Sequence, residues 1–449
     1  MNRNALASPL WALFAALLLA PSLAIASPPP GHDLVVKQQH IRAEIAAFRG
    51  LSIDHDIPSE FMPPEALRQV LLHKLAEEMS DQEIADEATV LQVLGLLDAR
   101  IDYKSFMVDL LTSEIAGFYD DDTKSLFVVE RPTEDFDQVV LVHELFHAIQ
   151  DHLFGLESFR AGGKENADLM AARTAFIEGD AMAVMLDYEM PSGTSFTDIP
   201  GFARFIRASA SQAMVMGGDI FQQAPLVLRE SLLFPYIEGL VFLATLKEMG
   251  GWPAVDAVYS DPPMSTEQIL HPERYLDRDH PTLIRFIAPA TSTSKPFYDN
   301  VSGELAFLIY FKQHQSLLSQ KPAIDAKGAA TGWGGDRVHA YRDAEGNAFV
   351  VMLSTWDSLE DATEAFAATD EALNARFPAA LRQRRHSNAG EAMQWTLKDR
   401  IYYLERRGTM VLTIEGLPAS MPLTTWRESI WHSHTQEPYP AFTASVPQP

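Results

Sequence analysis

Two histidines bracketing a glutamate are the residues in this chain best suited to chemistry: Val142-His143-Glu144-Leu145-Phe146-His147. In a helix of about 3.6 residues per turn, positions four apart stack on one face, roughly 6 Å apart along the axis. His143 and His147 can therefore aim both imidazoles at one ion. Zinc accepts imidazole nitrogen at about 2.0–2.1 Å, so this spacing supplies the first half of a tetrahedral site. Glu144 lies about 100° further round the helix. It flanks the ion without having to bind it, which suits a base that takes a proton from a metal-activated water. The surroundings (Val139, Val140, Leu141, Val142, Leu145, Phe146, Ala148, Ile149) predict burial. Two His and a Glu are costly in a core unless something pairs them, and a metal does; the alternative is a satisfied structural pair.

The remaining ligands must come from elsewhere. The chain has no cysteine, which leaves His and carboxylate as donors. A third histidine six residues after His147 is excluded, because position 153 is Leu. Asp151 shares a face with His147 and can either orient an imidazole or sit solvated near the helix end. Downstream, Ala167 to Tyr188 reads as a second apolar helix whose middle holds only two acids, Glu178 and Asp180. They lie about 200° apart, so one face cannot present both. Glu178 is assigned as the third ligand, against the alternative of a Glu satisfied by Arg173 or water. Asp180 reads as an outer support of the site or a helix-packing contact. Gly179 and the neighbouring alanines let another helix approach closely.

The elements that must position these residues follow from periodicity and caps. Val35 to Phe48 and Pro64 to Met79 read as helices, with Leu67, Val70, Leu71 and Leu75 as the buried face of the second. Asp81 caps a third running toward Leu97, and Asp102 a fourth from Tyr103 to about Ser113. Ile115–Tyr119 and Ser125–Val129, separated by the polar stretch 120–124, read as a β-hairpin. The metal helix runs from about Asp137 to Leu153, and a loop with Gly155, Gly162 and Gly163 leads to the Glu178 helix. Residues 200–250 are helical, in segments 202–216, 221–233 and 235–249. Ser265 with Gln268 forms a capping box for one helical turn that Pro272 ends. His271, Tyr236 and Tyr275 are each candidates to stabilise an oxyanion, or else structural braces. Residues 288–296 read as a linker by composition. Beyond it a helix over 305–313 precedes a β-β-α-β-β module with a last short strand, ending near Ile414. The tail after Pro438 reads as loose.

Composition sets the outer limits. With 449 residues and 47% hydrophobic content, two or three domains with a sizeable core are expected. The net charge of −26 opposes nucleic acid or an anionic membrane surface as the main partner; the densest basic run, Arg382 to Arg385, reads as a solvated surface. Arg3, the apolar stretch Leu10 to Leu19 and Ala24-Ile25-Ala26 read as a secretory signal cleaved after Ala26, so a periplasmic or secreted protein is expected. No later segment is long enough to anchor the mature chain in a membrane.

With His143-Glu144-x-x-His147 and Glu178-Gly179-Asp180-Ala181 both present, the chain resembles the gluzincins, zinc metallopeptidases with two His and a distant Glu. More narrowly it resembles a group of bacterial gluzincin-like proteins carrying five segments. These are an Ala-Gly-Phe-Tyr-Asp hairpin (Ala116 to Asp120), the metal helix, the Glu-Gly-Asp-Ala helix, a Ser-Thr-Glu-Gln-Ile-Leu-His-Pro block (Ser265 to Pro272) and a Gly-Trp-Gly-Gly-Asp-Arg segment (Gly332 to Arg337). The resemblance covers roughly residues 90 to 366. It implies a fold and a zinc ligation, not a substrate. In gluzincins an acid four residues after the ligand Glu braces a ligand His; position 182 is Met, so another residue must do this or the brace is missing. In zinc peptidases a strand beside the active-site helix commonly takes the substrate as an added strand, and the hairpin is placed for that role or for a plain core one.

The expected architecture is α+β: a mainly helical gluzincin-type zincin core with an active-site hairpin, plus a small C-terminal α+β module. The divisions are a signal peptide (1–26), an N-terminal helical region (27–113), the core (114–287), a linker (288–300) and the module (301–449). The N-terminal region reads as an integral part in preference to a pro-segment. The expected function is an exported zinc metallopeptidase hydrolysing peptide bonds of a peptide or protein substrate, with no nucleic-acid partner and no transmembrane anchor in the mature chain. One Zn2+ is held by His143, His147 and Glu178, with Glu144 as base and His271 as a candidate transition-state stabiliser. The rival is a non-catalytic, metal-stabilised envelope or binding protein.

Overall fold

The computed structural model describes residues 34–130, 138–160, 166–216, 218–289, 296–387 and 390–439. The expected signal peptide, the flexible start after it, position 137, Gly162, Gly163, residues 290–295 of the linker and nearly all of the tail lie outside these residues. The fold is mixed α+β.

The N-terminal part is α1 (Leu34–Arg49), β1 (Ser59–Met62), α2 (Pro64–Glu78), α3 (Asp81–Val93) and α4 (Tyr103–Glu114). Pro64 opens α2, where its missing N–H costs nothing. Asp102 caps α4 as expected. Ser80, not Asp81, caps α3: its hydroxyl accepts from Glu83 N while the Glu83 carboxylate takes the Ser80 N–H, two free donors satisfied reciprocally. The hairpin of β2 (Gly117–Asp120) and β3 (Ser125–Val129) follows, and β1, which the sequence did not reveal, pairs parallel to β3. The order β1-β3-β2 leaves β2 at an edge.

The helical centre comprises α5 (Gln138–Phe154), α6 (Leu156–Arg160), α7 (Ala167–Glu189), α8 (Phe202–Met216), α9 (Asp219–Gln223) and α10 (Leu226–Ala257). The segments expected at 221–233 and 235–249 are instead the short α9 and the long α10. That helix carries Pro235 inside it and is broken at Gly251, whose φ of 64° lies in the left-handed region. α7 and α10 cross in backbone contact. A Cβ on Gly239 would lie 2.0 Å from Ala175 O, and one on Gly179 2.4 Å from Gly239 C. Only glycine allows this approach, which the small residues around Gly179 foretold.

Next come α11 (Thr266–Leu270), α12 (Pro272–Leu276) and β4 (Thr282–Arg285). Ser265 caps α11 by accepting from Gln268 N, but the Gln268 side chain reaches back to Met264 N. Pro272 opens α12 as well as ending α11.

The C-terminal part holds β5 (Pro296–Asn300), α13 (Gly303–Gln315), α14 (Ala326–Ala330), β6 (Trp333–Arg342), β7 (Ala348–Trp356), α15 (Leu359–Arg376), β8 (Leu381–Ser387), β9 (Gly390–Leu397), β10 (Arg400–Arg407), β11 (Met410–Pro418), α16 (Leu423–Ser433) and β12 (Thr435–Pro438). Seven strands form one antiparallel sheet in the order β5-β6-β7-β11-β10-β9-β8, and β12 pairs with β4. Part of the expected linker is therefore the edge strand β5. Its leading proline is tolerated because an edge strand need not donate on both sides. The other edge is β8, where Arg382, the one arginine of the basic run whose exposure the structure describes, is exposed. Phe307, Phe311, Ala362, Phe366 and Leu373 cover one face of the sheet. Ile284, Phe286, Trp426, Ile430 and Trp431 cover the other.

The N-terminal helices are built into both halves. Ile41 and Ile45 share a core with Leu141, Leu145 and Ile149. Leu67, Met107 and Leu111 pack with Leu228, Leu232 and Tyr236. Arg376 Nη2 donates to Val93 O at 2.6 Å, and Arg342 to Asp86 at 2.7 Å. No described helix is long and apolar enough to cross a membrane.

Candidate metal centre

α5 presents His143 and His147 on the face turned toward α7, and Glu178 meets them from the middle of that helix. Their ligand atoms lie within 4.8 Å of one another. Glu178 Oε2 is 3.2 Å from His143 Nε2 and 3.4 Å from His147 Nε2, and the two Nε2 atoms are 3.0 Å apart. His143, Glu144 and Glu178 have no exposed surface, and His147 retains 4%.

The group fits a divalent cation. All three donors are nitrogen or oxygen, and they converge without a fixed cation among them. Glu178 Oε1 is buried and unpartnered, which is costly for a carboxylate. Burial would raise the Glu178 carboxyl, but the two imidazoles hold it below its ordinary value. Burial drives His143 down to about 4. Burial also opposes charge on His147, yet Glu178, Glu144 and Gln150 together raise it to about 9. One proton on His147 thus offsets Glu178, and a bound cation would take that proton's place.

Glu144, about 100° further round α5, faces the hairpin. Its Oε2 accepts from Tyr119 N at 2.9 Å, and Oε1 is buried without a partner. Tyr119 lies on the edge strand β2, so this main-chain donor faces the metal helix and not the neighbouring strand. Burial, with the Glu178 charge, pushes the Glu144 carboxyl up to about 7, against the pull of His147 and the Tyr119 N–H. A carboxylate in this state exchanges protons near neutral pH.

The other expected residues are placed as follows. Asp151 orients no imidazole and is not solvated: it accepts from Tyr119 Oη at 2.9 Å and Lys124 Nζ at 2.6 Å, pinning the hairpin to α5. Gln150 is the brace on His147, at 2.7 Å from Nδ1. Its position three residues after His147, on the same helix face, was the available signal. His143 Nδ1 is buried with no partner. Arg173 donates to Phe159 O. Asp180 accepts from Tyr259 Oη at 2.8 Å and pairs with Arg49 at 3.3 Å.

Of the three oxyanion candidates, Tyr236 stands beside a ligand, its ring centroid 6.3 Å from that of His143. Tyr275 Oη donates to Asp261 O at 2.8 Å. His271 Nε2 lies 2.9 Å from Glu304 Oε1, and the block that carries it is tied to α7 at Asp168, where Thr266 donates from its N–H at 3.0 Å and its hydroxyl at 2.5 Å. Asp168 is ten residues before Glu178, roughly 15 Å along the helix. His271 itself is paired with Glu304 of α13, and it is not among the residues whose ligand atoms converge with His143, His147 and Glu178.

A family described as a domain of unknown function (DUF8575) matches residues 294–425. That span holds the seven-stranded sheet and leaves the His–Glu group outside it. No curated protein and no solved structure matches the chain.

Proposed function

We propose that the protein is an exported zinc metallopeptidase with a gluzincin-type core, in which His143, His147 and Glu178 hold the ion and Glu144 is the general base. The observation that carries the reading is the pairing of a complete His–His–Glu donor set with a second carboxylate beside it. A purely structural ion has no use for Glu144. A zinc ion bound there would supply the Lewis acidity that makes a water and a scissile carbonyl reactive at neutral pH. Glu144 would take a proton on its unpartnered oxygen while the Tyr119 N–H holds the other, and would pass it to the leaving amine. The edge position of β2 supports its reading as the strand that lines up a peptide.

One observation favours the rival, a metal-stabilised binding or envelope protein without catalysis: the group has almost no exposed surface. The two readings separate in one experiment. Zinc content and cleavage of a broad peptide library are measured for the wild type and Glu144→Gln. Stoichiometric zinc in both, with cleavage lost only in the variant, is expected. Zinc in both with no peptide cut by either establishes the rival, and a wild type that stays metal-free at saturating zinc defeats both.

A further inference from the structure

His147 is tied to the N-terminal helix by a buried chain of four hydrogen-bonded side chains. Its Nδ1 meets Gln150 Oε1 at 2.7 Å. Gln150 Nε2 donates to Ile177 O at 3.1 Å and to Tyr259 Oη at 2.8 Å. Tyr259 Oη donates to Asp180 Oδ2 at 2.8 Å. Asp180 pairs with Arg49, whose guanidinium also lies 2.7 Å from Asp256 and 4.2 Å above the Trp252 ring. Arg49 is the last residue of α1. Gln150, Tyr259, Asp180 and Arg49 are all buried.

The chain has one polarity. A backbone carbonyl can only accept, so Ile177 O fixes which end of the Gln150 amide is NH2. Oε1 then faces the imidazole, and His147 Nδ1 must be the donor. The position left for a second proton or for a cation is Nε2, the atom turned toward Glu178 and His143. Every bond from His147 outward runs donor to acceptor and ends on the Asp180 carboxylate, a sink that Arg49 holds in place. Ile177 directly precedes Glu178, so the same amide also ties one ligand to the other.

We propose that Arg49, acting through Asp180, Tyr259 and Gln150, is a positioning residue for the metal ligand His147, so that α1 is part of the metal site and not a removable pro-segment. The inference rests on the reading of His143, His147 and Glu178 as a metal site. It places the support of a ligand on a helix nearly a hundred residues earlier in the chain. Supporting shells of this kind typically change metal affinity about 10–100-fold when broken.

The test uses the full chain with Tyr259→Phe, Arg49→Met and Arg49→Lys. Tyr259→Phe removes one hydroxyl and keeps the ring packed on Phe154, 3.7 Å between centroids, so it reports on the chain even where an Arg49 variant fails to fold. Zinc affinity is measured by competition with a chromogenic chelator, and the cobalt(II)-substituted proteins are compared by their visible absorption. Expected are a fall in zinc affinity of about tenfold or more and a changed cobalt band in Tyr259→Phe and Arg49→Met, with partial recovery in Arg49→Lys. Wild-type affinity and an unchanged cobalt spectrum in folded Tyr259→Phe would overturn the positioning role while leaving the metal site standing. A wild type that binds neither zinc nor cobalt would instead overturn the reading beneath it.

Discussion

Gly239→Ala tests the helix crossing that brings Glu178 to the two histidines of the candidate metal centre. By helix propensity alone the change in α10 should stabilise, by about 1 kcal/mol. The structure reverses that sign. The added methyl would lie 2.0 Å from Ala175 O and 2.8 Å from its carbonyl carbon. Ordinary contact is about 3.5 Å, so α7 and α10 must part by roughly 1.5 Å. The clashing atoms are main chain, so no side-chain rotation relieves them. Overpacking of this kind costs about 1–3 kcal/mol, and with backbone as the obstacle the upper end applies, leaving a net loss of about 2 kcal/mol after the propensity gain. The displacement also reaches the site. Glu178 adjoins Gly179, the residue in contact with Gly239, and it meets His143 and His147 across only 3.2 and 3.4 Å. Moving α7 by an ångström draws the carboxylate out of the set and should lower zinc affinity by about tenfold or more. Chelated protein followed by thermal melting reads the packing term, and chelator competition reads the ligand term. A variant that melts at or above the wild-type temperature with unchanged affinity would refute the claim that the two backbones touch here.

Asp168→Asn should flatten the pH dependence of stability. Burial, with the charges of Asp336 and Glu304 facing it, pushes the Asp168 carboxyl up to about 7 despite two hydrogen bonds from Thr266. The folded chain thus holds a proton that the unfolded chain, with an ordinary value of about 3.9, gives up. Its stabilisation is complete below pH 4 and fades as pH rises toward 7, so between pH 5 and 7 the variant's curve should be shallower by up to about 1.4 kcal/mol per pH unit; parallel curves would defeat this. Ser80→Ala removes one half of the capping box on α3 and should cost about 1 kcal/mol in urea melts, with unchanged stability counting against the cap. Removing zinc should lower the melting temperature: free zinc at 100 times its Kd stabilises by about 2.7 kcal/mol, and His147→Ala should melt alike with and without chelator.

The parts of this protein that were legible in the sequence are those where one local pattern states both a need and its answer. Pro64 and Asp102 start helices because the first turn of any helix leaves donors free. His143 and His147 face one point because of helical spacing, and Glu178 was one of only two acids in the apolar middle of the next long helix. What failed was local pattern at sheet edges and partnership at long range. β5 begins with a proline and follows a Ser/Thr-rich stretch, so it read as linker. β8 is the polar Leu-Arg-Gln-Arg-Arg-His-Ser, with no apolar alternation to mark it. The Tyr119 N–H on Glu144 is a main-chain donor, to which no side-chain pattern points. His271 read as a candidate oxyanion stabiliser or a brace, and its partner Glu304, 33 residues away, is not visible in any local pattern.

α7 shows why these two kinds of reading part. It buries four carboxylates, Asp168, Glu178, Asp180 and Asp187, and a buried carboxylate must be paired, protonated or bound to a metal. Each takes a different segment of the chain. Asp168 accepts from Thr266, and its carboxylate leaves no room for a side chain on Gly303, where a Cβ would lie 1.8 Å from Oδ1 and φ is +78°. Asp180 holds Arg49 of α1 and Tyr259. Asp187 accepts from Ser195 Oγ at 2.8 Å and Phe196 N at 3.0 Å, and pairs with Lys247. In three of the four cases the partners are a protein cation or protein donors, so the acid is a point of attachment. Glu178 meets only two imidazoles, one of them driven toward neutrality by burial, and one of its oxygens has nothing. The helix thus supplies its own internal comparison: of the four carboxylates, Glu178 is the one whose partners are two imidazoles, side chains that can equally serve a cation.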